Sequence, residues 1–276
     1  MAQAQTQAHL QGNGLILASS PCPGVRVLTL NRPAKRNALS QSLISELLLQ
    51  LKISAEDDDI YAIIVTGSDT FFSAGADINE ISKLDAESAR RIRYLEGLCH
   101  VLRGVRKPVI VAVEGMALGG GFELALMSDF IVATTASEFR LPELTIGLIP
   151  GAGGTQRLTS VLGKYRAMKL IVLGEHLSGT EAHGLGLVCS LTEPGQALQG
   201  ALDIAMNLGS RSQSAIMLAK EAICRADELG QDERFERSLY YTAFGTNDKR
   251  EGVAAFLGKR APIWSVQSNE SKDISI

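Results

Sequence analysis

Glu123 stands three residues after Gly120 in the segment Glu114-Gly115-Met116-Ala117-Leu118-Gly119-Gly120-Gly121-Phe122-Glu123-Leu124, the densest chemical signal in the chain. Consecutive glycines let backbone approach a ligand closely and take dihedrals that other residues avoid. The spacing predicts that a helix opens at this run. The first N–H groups of a helix lack internal partners, and the aligned peptide dipoles leave partial positive charge at that end. An oxygen gaining negative charge would be stabilised there, with Glu123 in the first turn beside it. The pattern also has a packing explanation, in which the glycines permit tight helix–strand contact and the acid complements the dipole. Context favours chemistry: Leu124-Ala125-Leu126-Met127 follows, and a carboxylate at the edge of an apolar run is costly to keep for structure alone.

Two further segments carry similar signals. Ser73-Ala74-Gly75-Ala76-Asp77 offers small side chains that would expose N–H groups to a ligand, although alone it also fits a plain strand-to-helix loop. Leu141-Pro142-Glu143-Leu144 sets a second acid among apolar residues, and Ile149-Pro150-Gly151-Ala152-Gly153-Gly154-Thr155-Gln156-Arg157 follows it. Taken singly, Glu143 fits an ordinary helix N-terminal acid. The Gly151–Gly154 run lacks the third glycine of a dinucleotide fingerprint, because Gln156 stands there, and no strand precedes it.

Other chemistries find little support. No P-loop Gly-Lys-Ser/Thr, no Gly-x-Ser-x-Gly elbow and no HExxH pattern occurs, and the four histidines are scattered. The four cysteines (Cys22, Cys99, Cys189, Cys224) lack CxxC spacing, which reads as reduced structural thiols in an intracellular protein, with no metal site expected. Two carboxylates and backbone amides are what remains.

The elements that must position them come from an ordinary globular composition: 276 residues, 45% hydrophobic, 21% charged, net charge -3. No global field draws such a chain to nucleic acid or anionic membranes. The longest apolar stretch, Pro108 to Ala136, is broken by Glu114, Glu123 and Asp129, so it is not a membrane span. Strands are expected at Val25–Leu30, Tyr61–Thr66, Val109–Val113 and Phe130–Ala133. Helices are expected from Ser40 to Leu51, as one long helix from Glu87 to Val105, and from the glycine run to Met127. That alternation implies an α/β fold with largely parallel pairing. Beyond about residue 200 only helices are expected, at Ala201–Leu208, Ser214–Leu229, Gln231–Phe244 and Lys249–Leu257. The resulting division is a flexible leader (1–14), a core (15–200), a helical oligomerisation region (201–265) and a flexible tail (266–276).

Together these segments resemble the crotonase (enoyl-CoA hydratase/isomerase) superfamily over roughly Gly14 to Pro262. The resemblance is carried by Leu30-Asn31-Arg32-Pro33 with Asn37-Ala38-Leu39, by Ser73 to Asp77, and by Ala117 to Gly121. Pro142-Glu143, Pro150 to Leu158, Ala182 to Val188, and Lys249 to Phe256 with Lys259-Arg260 extend it. It implies a spiral of ββα units with a helical C-terminal trimerisation region, assembled as a dimer of trimers. It further implies an acyl-CoA thioester substrate, with its carbonyl held by the amides of Ala76 and Gly120, and acid/base work by Glu123 and Glu143. Contacts to CoA or the acyl chain would fall at Lys35, Arg36, Ala38, Ala74, Asp77, Ile78, Asn79 and Leu141. Phe256 and Lys259 would reach the CoA end, often from a neighbouring subunit. Asn79 departs from the lysine many hydratases carry, Leu141 replaces a polar residue, and Phe122 is bulkier than usual, the last two bearing on acyl fit.

The implied reaction is hydration of the 2,3 double bond of an enoyl-CoA, with no metal or redox cofactor, coenzyme A being part of the substrate. The nearest alternative, an enoyl-CoA isomerase, usually needs only one glutamate. The chain looks closest to the AU-binding type of hydratase, whose RNA contacts come from a lysine-rich early helix. Here Ser40 to Ser54 holds only Lys52, against Glu46, so no nucleic-acid partner is expected. No membrane partner is expected either, and the compartment stays open between mitochondrial matrix and cytoplasm.

Overall fold

The computed structural model describes residues 14–84, 86–92, 95–229, 247, 251, 255 and 258–264. The chain opens with strands β1 (Ile16–Ser19) and β2 (Val25–Leu30), a 3-10 turn Pro33–Lys35, and helix α1 (Gln41–Glu56). Next come β3 (Ala62–Thr66), β4 (Phe71–Ser73), α2 (Ile78–Ile81), α3 (Ala86–Ile92) and α4 (Glu96–Gly104). The central stretch is β5 (Val109–Val113), β6 (Met116–Leu118), α5 (Gly120–Leu126), β7 (Phe130–Thr134), β8 (Glu138–Arg140) and a 3-10 turn Glu143–Ile146. It continues with α6 (Gly154–Leu162), α7 (Lys164–Val172), β9 (Leu177–Ser178), α8 (Gly179–Gly184), β10 (Ser190–Thr192), α9 (Ala197–Gly209) and α10 (Gln213–Leu229).

The strands form two sheets. The larger has order β1-β2-β3-β5-β7-β10 and is parallel except for the β1–β2 pair. The smaller has order β4-β6-β8-β9, with β4, β6 and β8 parallel. Each of β3, β5 and β7 is thus followed, after a short corner, by a strand of the second sheet and then a helical segment. This is the expected spiral of ββα turns within the α/β class.

Burial explains the strand composition. β3 (Ala-Ile-Ile-Val-Thr) and β5 (Val-Ile-Val-Ala-Val) are buried at every position, so both faces need apolar side chains. Ile63, Val65, Val109, Val111 and Val113 pack toward Leu43, Leu47 and Leu51 of α1 and Leu98 and Leu102 of α4. On the opposite face, Val27, Ala62, Ile64, Ile110, Ala112 and Val132 meet Ala197, Ala201 and Ala205. Those alanines recur every four residues, so α9 lays one narrow stripe against the sheet. The expected boundary after residue 200 falls inside this helix.

The sequence expectations for β2, β3, β5, β7 and α5 agree with the structure to within a residue or so. Ser40 caps α1, its Oγ accepting from Leu43 N–H at 3.3 Å, but the helix runs on to Glu56. The single helix expected from Glu87 to Val105 is two helices, because Leu95 adopts a left-handed φ of 64° at the start of α4, a conformation no helix interior tolerates. β1 and the whole second sheet were not anticipated. Residues 231–244 lie outside the described residues, and 249–257 is described only at Glu251 and Ala255.

α10 is fastened to the core by charge. Lys220 Nζ donates to Asp129 Oδ2 at 2.7 Å and to Lys107 O at 2.9 Å, while Asp129 Oδ2 also accepts from Val109 N–H at 2.6 Å. Beside this pair a cavity of about 630 Å³ is lined by Leu126, Met127, Phe130, Leu187, Ile216 and Ile223 among others. None of the expected site residues lies in its wall. Among the described residues no helix is long and apolar enough to cross a membrane.

Candidate active site

The ends of β4 and β6 bring two glycine-rich loops into contact. Gly75 has φ +88° and Gly119 φ +50°, both in the left-handed region that favours glycine. A Cβ on Gly75 would lie 2.7 Å from Leu118 O and 3.2 Å from Gly120 N, so these backbones touch only because no side chain intervenes. The loops are held from behind: Gly119 N–H donates to Arg140 O at 2.8 Å, Gly75 N–H to Ser73 Oγ at 3.2 Å, and Asp77 N–H to Leu39 O at 3.3 Å. Among the described residues no acceptor engages Ala76 N–H or Gly120 N–H. Two amide donors on neighbouring loops, one of them opening helix α5, are thus available to an acceptor oxygen, and donors so placed can stabilise one that gains negative charge.

Glu123, one turn into α5, is 1% exposed. Its Oε1 accepts from Ala152 N–H at 2.7 Å and Gly154 N–H at 2.8 Å, so the Gly151–Gly154 loop is a carboxylate cradle. Burial raises its pKa from the ordinary value, while the amides of Gly154, Ala152 and Gly151 and the charge of Arg157 pull the other way. Glu143 begins the 3-10 turn after β8, and its Oε1 would lie 3.0 Å from a Cβ placed on Gly119. Its Oε2 is buried with no hydrogen-bond partner among the described residues. Burial chiefly raises its pKa to about 7, and the nearby Glu123 adds to the rise. Two carboxyl groups in different environments thus stand close to the loops that carry the two amides.

A family model for enoyl-CoA hydratase/isomerase matches residues 22–267. The chain belongs to the enoyl-CoA hydratase/isomerase family. A relative named "Probable enoyl-CoA hydratase, mitochondrial" from Dictyostelium discoideum is 45% identical over 242 residues, covering 87% of each chain. One from Rhizobium meliloti (strain 1021), named "Probable enoyl-CoA hydratase", is 46% identical over 238 residues, covering 86% of this chain and 92% of the relative. The crystal structure of enoyl-CoA hydratase from Bacillus anthracis superposes with a TM-score of 0.85 at 34% identity, covering 91% of this chain and 99% of that one.

The fold gathers most of the positions expected from the family resemblance. The Lys35–Ala38 segment is bonded to the Ala74–Asp77 loop through Ala74 N–H to Arg36 O (2.9 Å), and the following Leu39 N–H donates to Gly75 O (2.7 Å). Lys35 and Arg36 are exposed, Arg36 lying 5.1 Å from the Phe71 ring centroid. Ile78 and Asn79 are exposed at the start of α2. Asp77 has both side-chain oxygens engaged within the protein: Oδ2 accepts from Arg32 Nη1 at 2.6 Å and Oδ1 from Asn79 N–H at 2.9 Å. Arg32 accordingly lowers its pKa. Phe122 is buried against Phe139, with ring centroids 5.0 Å apart. Leu141 is fully buried, Lys259 is exposed, and Phe256 lies outside the described residues.

Sequence reading missed the supports of the Ala76 loop. Asn37, buried with φ 55°, donates from Nδ2 to Phe71 O and Phe72 O at 3.2 Å each, and its carbonyl accepts from Ser73 Oγ at 2.7 Å. No local pattern signals such a contact, because its partners lie more than thirty residues apart. The cradle at 151–154 was visible only as a glycine run.

Proposed function

We infer that the chain is an enoyl-CoA hydratase, adding water across the 2,3 double bond of an enoyl-CoA thioester. The observation that carries the mechanism is the contact of the Gly75 and Gly119 backbones, with Ala76 and Gly120 N–H left free and Glu123 and Glu143 on either side. In this reading the two amides take the thioester oxygen and stabilise the enolate formed when C3 is attacked. A water-poor site makes each such donor worth about 2.7–4 kcal/mol to the transition state.

The two carboxyls divide the proton work by environment. Glu123, its Oε1 held by two amides, acts as the carboxylate: it orients the water and takes one proton as the oxygen bonds to C3. Glu143, buried without a donor on Oε2 and with its pKa near 7, acts as the acid and delivers a proton to C2. Water supplies both added groups in the net reaction, and exchange with solvent resets the two acids. Neither a metal nor a redox cofactor enters this scheme, and coenzyme A is part of the substrate.

Lys35 and Arg36 supply exposed cations for the CoA phosphates, with Ala38, Ala74, Ile78, Asn79 and Leu141 on the binding side and Lys259 and Phe256 at the CoA end. The assembly proposed is a homohexamer, a dimer of trimers, without a nucleic-acid or membrane partner. The mitochondrial name of one relative and the bacterial source of another support a matrix or cytoplasmic protein serving fatty-acid breakdown. Crotonyl-CoA tests the reading. Hydration removes its conjugated absorbance, whereas an isomerase would leave that band intact; a chain that leaves it unchanged is not a hydratase.

A further inference from the structure

Arg157 has no part in the scheme above, yet several contacts converge on it. The cradle of Glu123 uses N–H groups from two peptide planes that are not adjacent, those of Ala152 and Gly154. Between them lies the plane bearing Ala152 O, and its orientation decides whether both N–H groups can aim at one carboxylate oxygen. Arg157 Nη1 donates to Ala152 O at 2.9 Å, and Cys99 Sγ reaches the same oxygen at 3.4 Å. The guanidinium lies over Gly153, where φ is +95° and any Cβ would collide with Nη1. Ala152 is buried and Arg157 half-buried.

The charge of Arg157 is also uncommitted. Among the described residues it has no carboxylate within ion-pair distance, and its charge bears on Glu123 and on the Cys99 thiol. The other groups around Glu123 do not replace it. Glu143 supplies no cation, and the Cys99 thiol on α4 is itself held protonated by burial; Arg103, further along α4, bears on Cys99 as Arg157 does.

We propose that Arg157 is the positioning residue of Glu123: it fixes the middle peptide plane of the cradle and sets a positive charge behind it. The cradle stands on geometry alone, and only its catalytic consequence rests on the hydratase reading.

The test is a carboxyl titration by carbon-13 NMR on full-length protein labelled at the glutamate side-chain carboxyl, with the Glu123 signal assigned by its loss in Glu123→Gln. Arg157→Gln is expected to raise the Glu123 midpoint by about one pH unit, as loss of a nearby opposite charge does. The acid limb of kcat for crotonyl-CoA should move up with it, while KM changes little. Arg157→Lys keeps the cation but loses the fork, so its midpoint should fall between the two with kcat reduced. A folded Arg157→Gln protein whose Glu123 midpoint and acid limb match wild type overturns the proposal. Should that variant not fold, the lysine variant decides: an upward midpoint with lowered kcat supports the role, and wild-type values for both overturn it. Wild-type protein inactive on crotonyl-CoA, with the midpoint still moving in Arg157→Gln, would sink the hydratase reading and leave the cradle assignment standing.

Discussion

Glu123 and Glu143 stand near enough for the charge of one to bear on the other, and their differing environments make them separable by experiment. Each Glu→Gln change is nearly isosteric and should leave a folded protein with kcat down about 10²–10⁴-fold, the range for a lost general acid or base. Steady-state hydration of crotonyl-CoA reads this directly. The pH profile should be bell-shaped, with the alkaline limb falling through about pH 7 as Glu143 loses its proton. The acid limb should fall where Glu123 gains one, above the ordinary glutamate range. Stability carries an opposite signature. Because the folded-state pKa of Glu143 is raised above its unfolded value, the folded protein holds an extra proton between the two, and stability drops as pH rises through that window toward 7. Glu143→Gln removes the burden of burying a charge, so its melting temperature should exceed wild type above pH 7, and the gap should close below pH 5. An unchanged difference across that range would show that Glu143 is not titrating in the folded state. Both acids were legible in the sequence as carboxylates stranded among apolar neighbours. Their different environments were not, since Oε1 of Glu123 is defined by amides 29 and 31 residues away.

At the scale of elements, the site depends on two backbones approaching where side chains are missing. Gly75→Ala would force φ +88° on an L-residue and push its methyl into Leu118 O and Gly120 N. We expect kcat to fall about 10²–10³-fold, as for loss of an oxyanion donor, together with a lower unfolding midpoint in urea. Wild-type kcat in Gly75→Ala would show that the two amides do not act together. The long runs of β3 and β5 were readable because both faces of the larger sheet are covered, which demands apolar residues at every position. β4, β6 and β8 were not, because three residues carry no measurable alternation, and their pairing is set by neighbours such as Phe71 with Met116 and Met116 with Glu138. The break between α3 and α4 escaped for a different reason: the apolar spacing continues across Leu95, whose left-handed backbone stands at the start of α4.

For the whole molecule, the Lys220–Asp129 pair ties α10 to the start of β5, with side chains 13% and 17% exposed. Removing the cation alone leaves a buried, unpaired carboxylate, so Lys220→Met should destabilise by about 3 kcal/mol. The double change Lys220→Met with Asp129→Asn should recover much of that, as measured by urea unfolding; equal losses in both would mean the pair is not coupled. Val161, Tyr165, Met168 and Val172 are exposed apolar residues at helical spacing across the end of α6 and along α7, the kind of face that the proposed assembly would cover. Tyr165→Asp with Met168→Asp should therefore lower the mass seen by light scattering while the circular dichroism stays as in wild type. An unaltered mass would place the assembly contacts elsewhere. The stacking of β4, β6 and β8 has a wider consequence. Each of these strands ends in a different working part: the loop with Ala76 after β4, Gly120 and Glu123 after β6, Glu143 after β8. In the proposed scheme anion binding is shared by the coils after β4 and β6, while the coil after β8 carries the acid and also, through Ala152 and Gly154, holds the base. Chemistry on such a frame can be revised in short pieces, so that exchanging the Glu143 turn alone would alter how the proton is delivered, whereas exchanging everything up to Gly154 would also release Glu123 from its cradle.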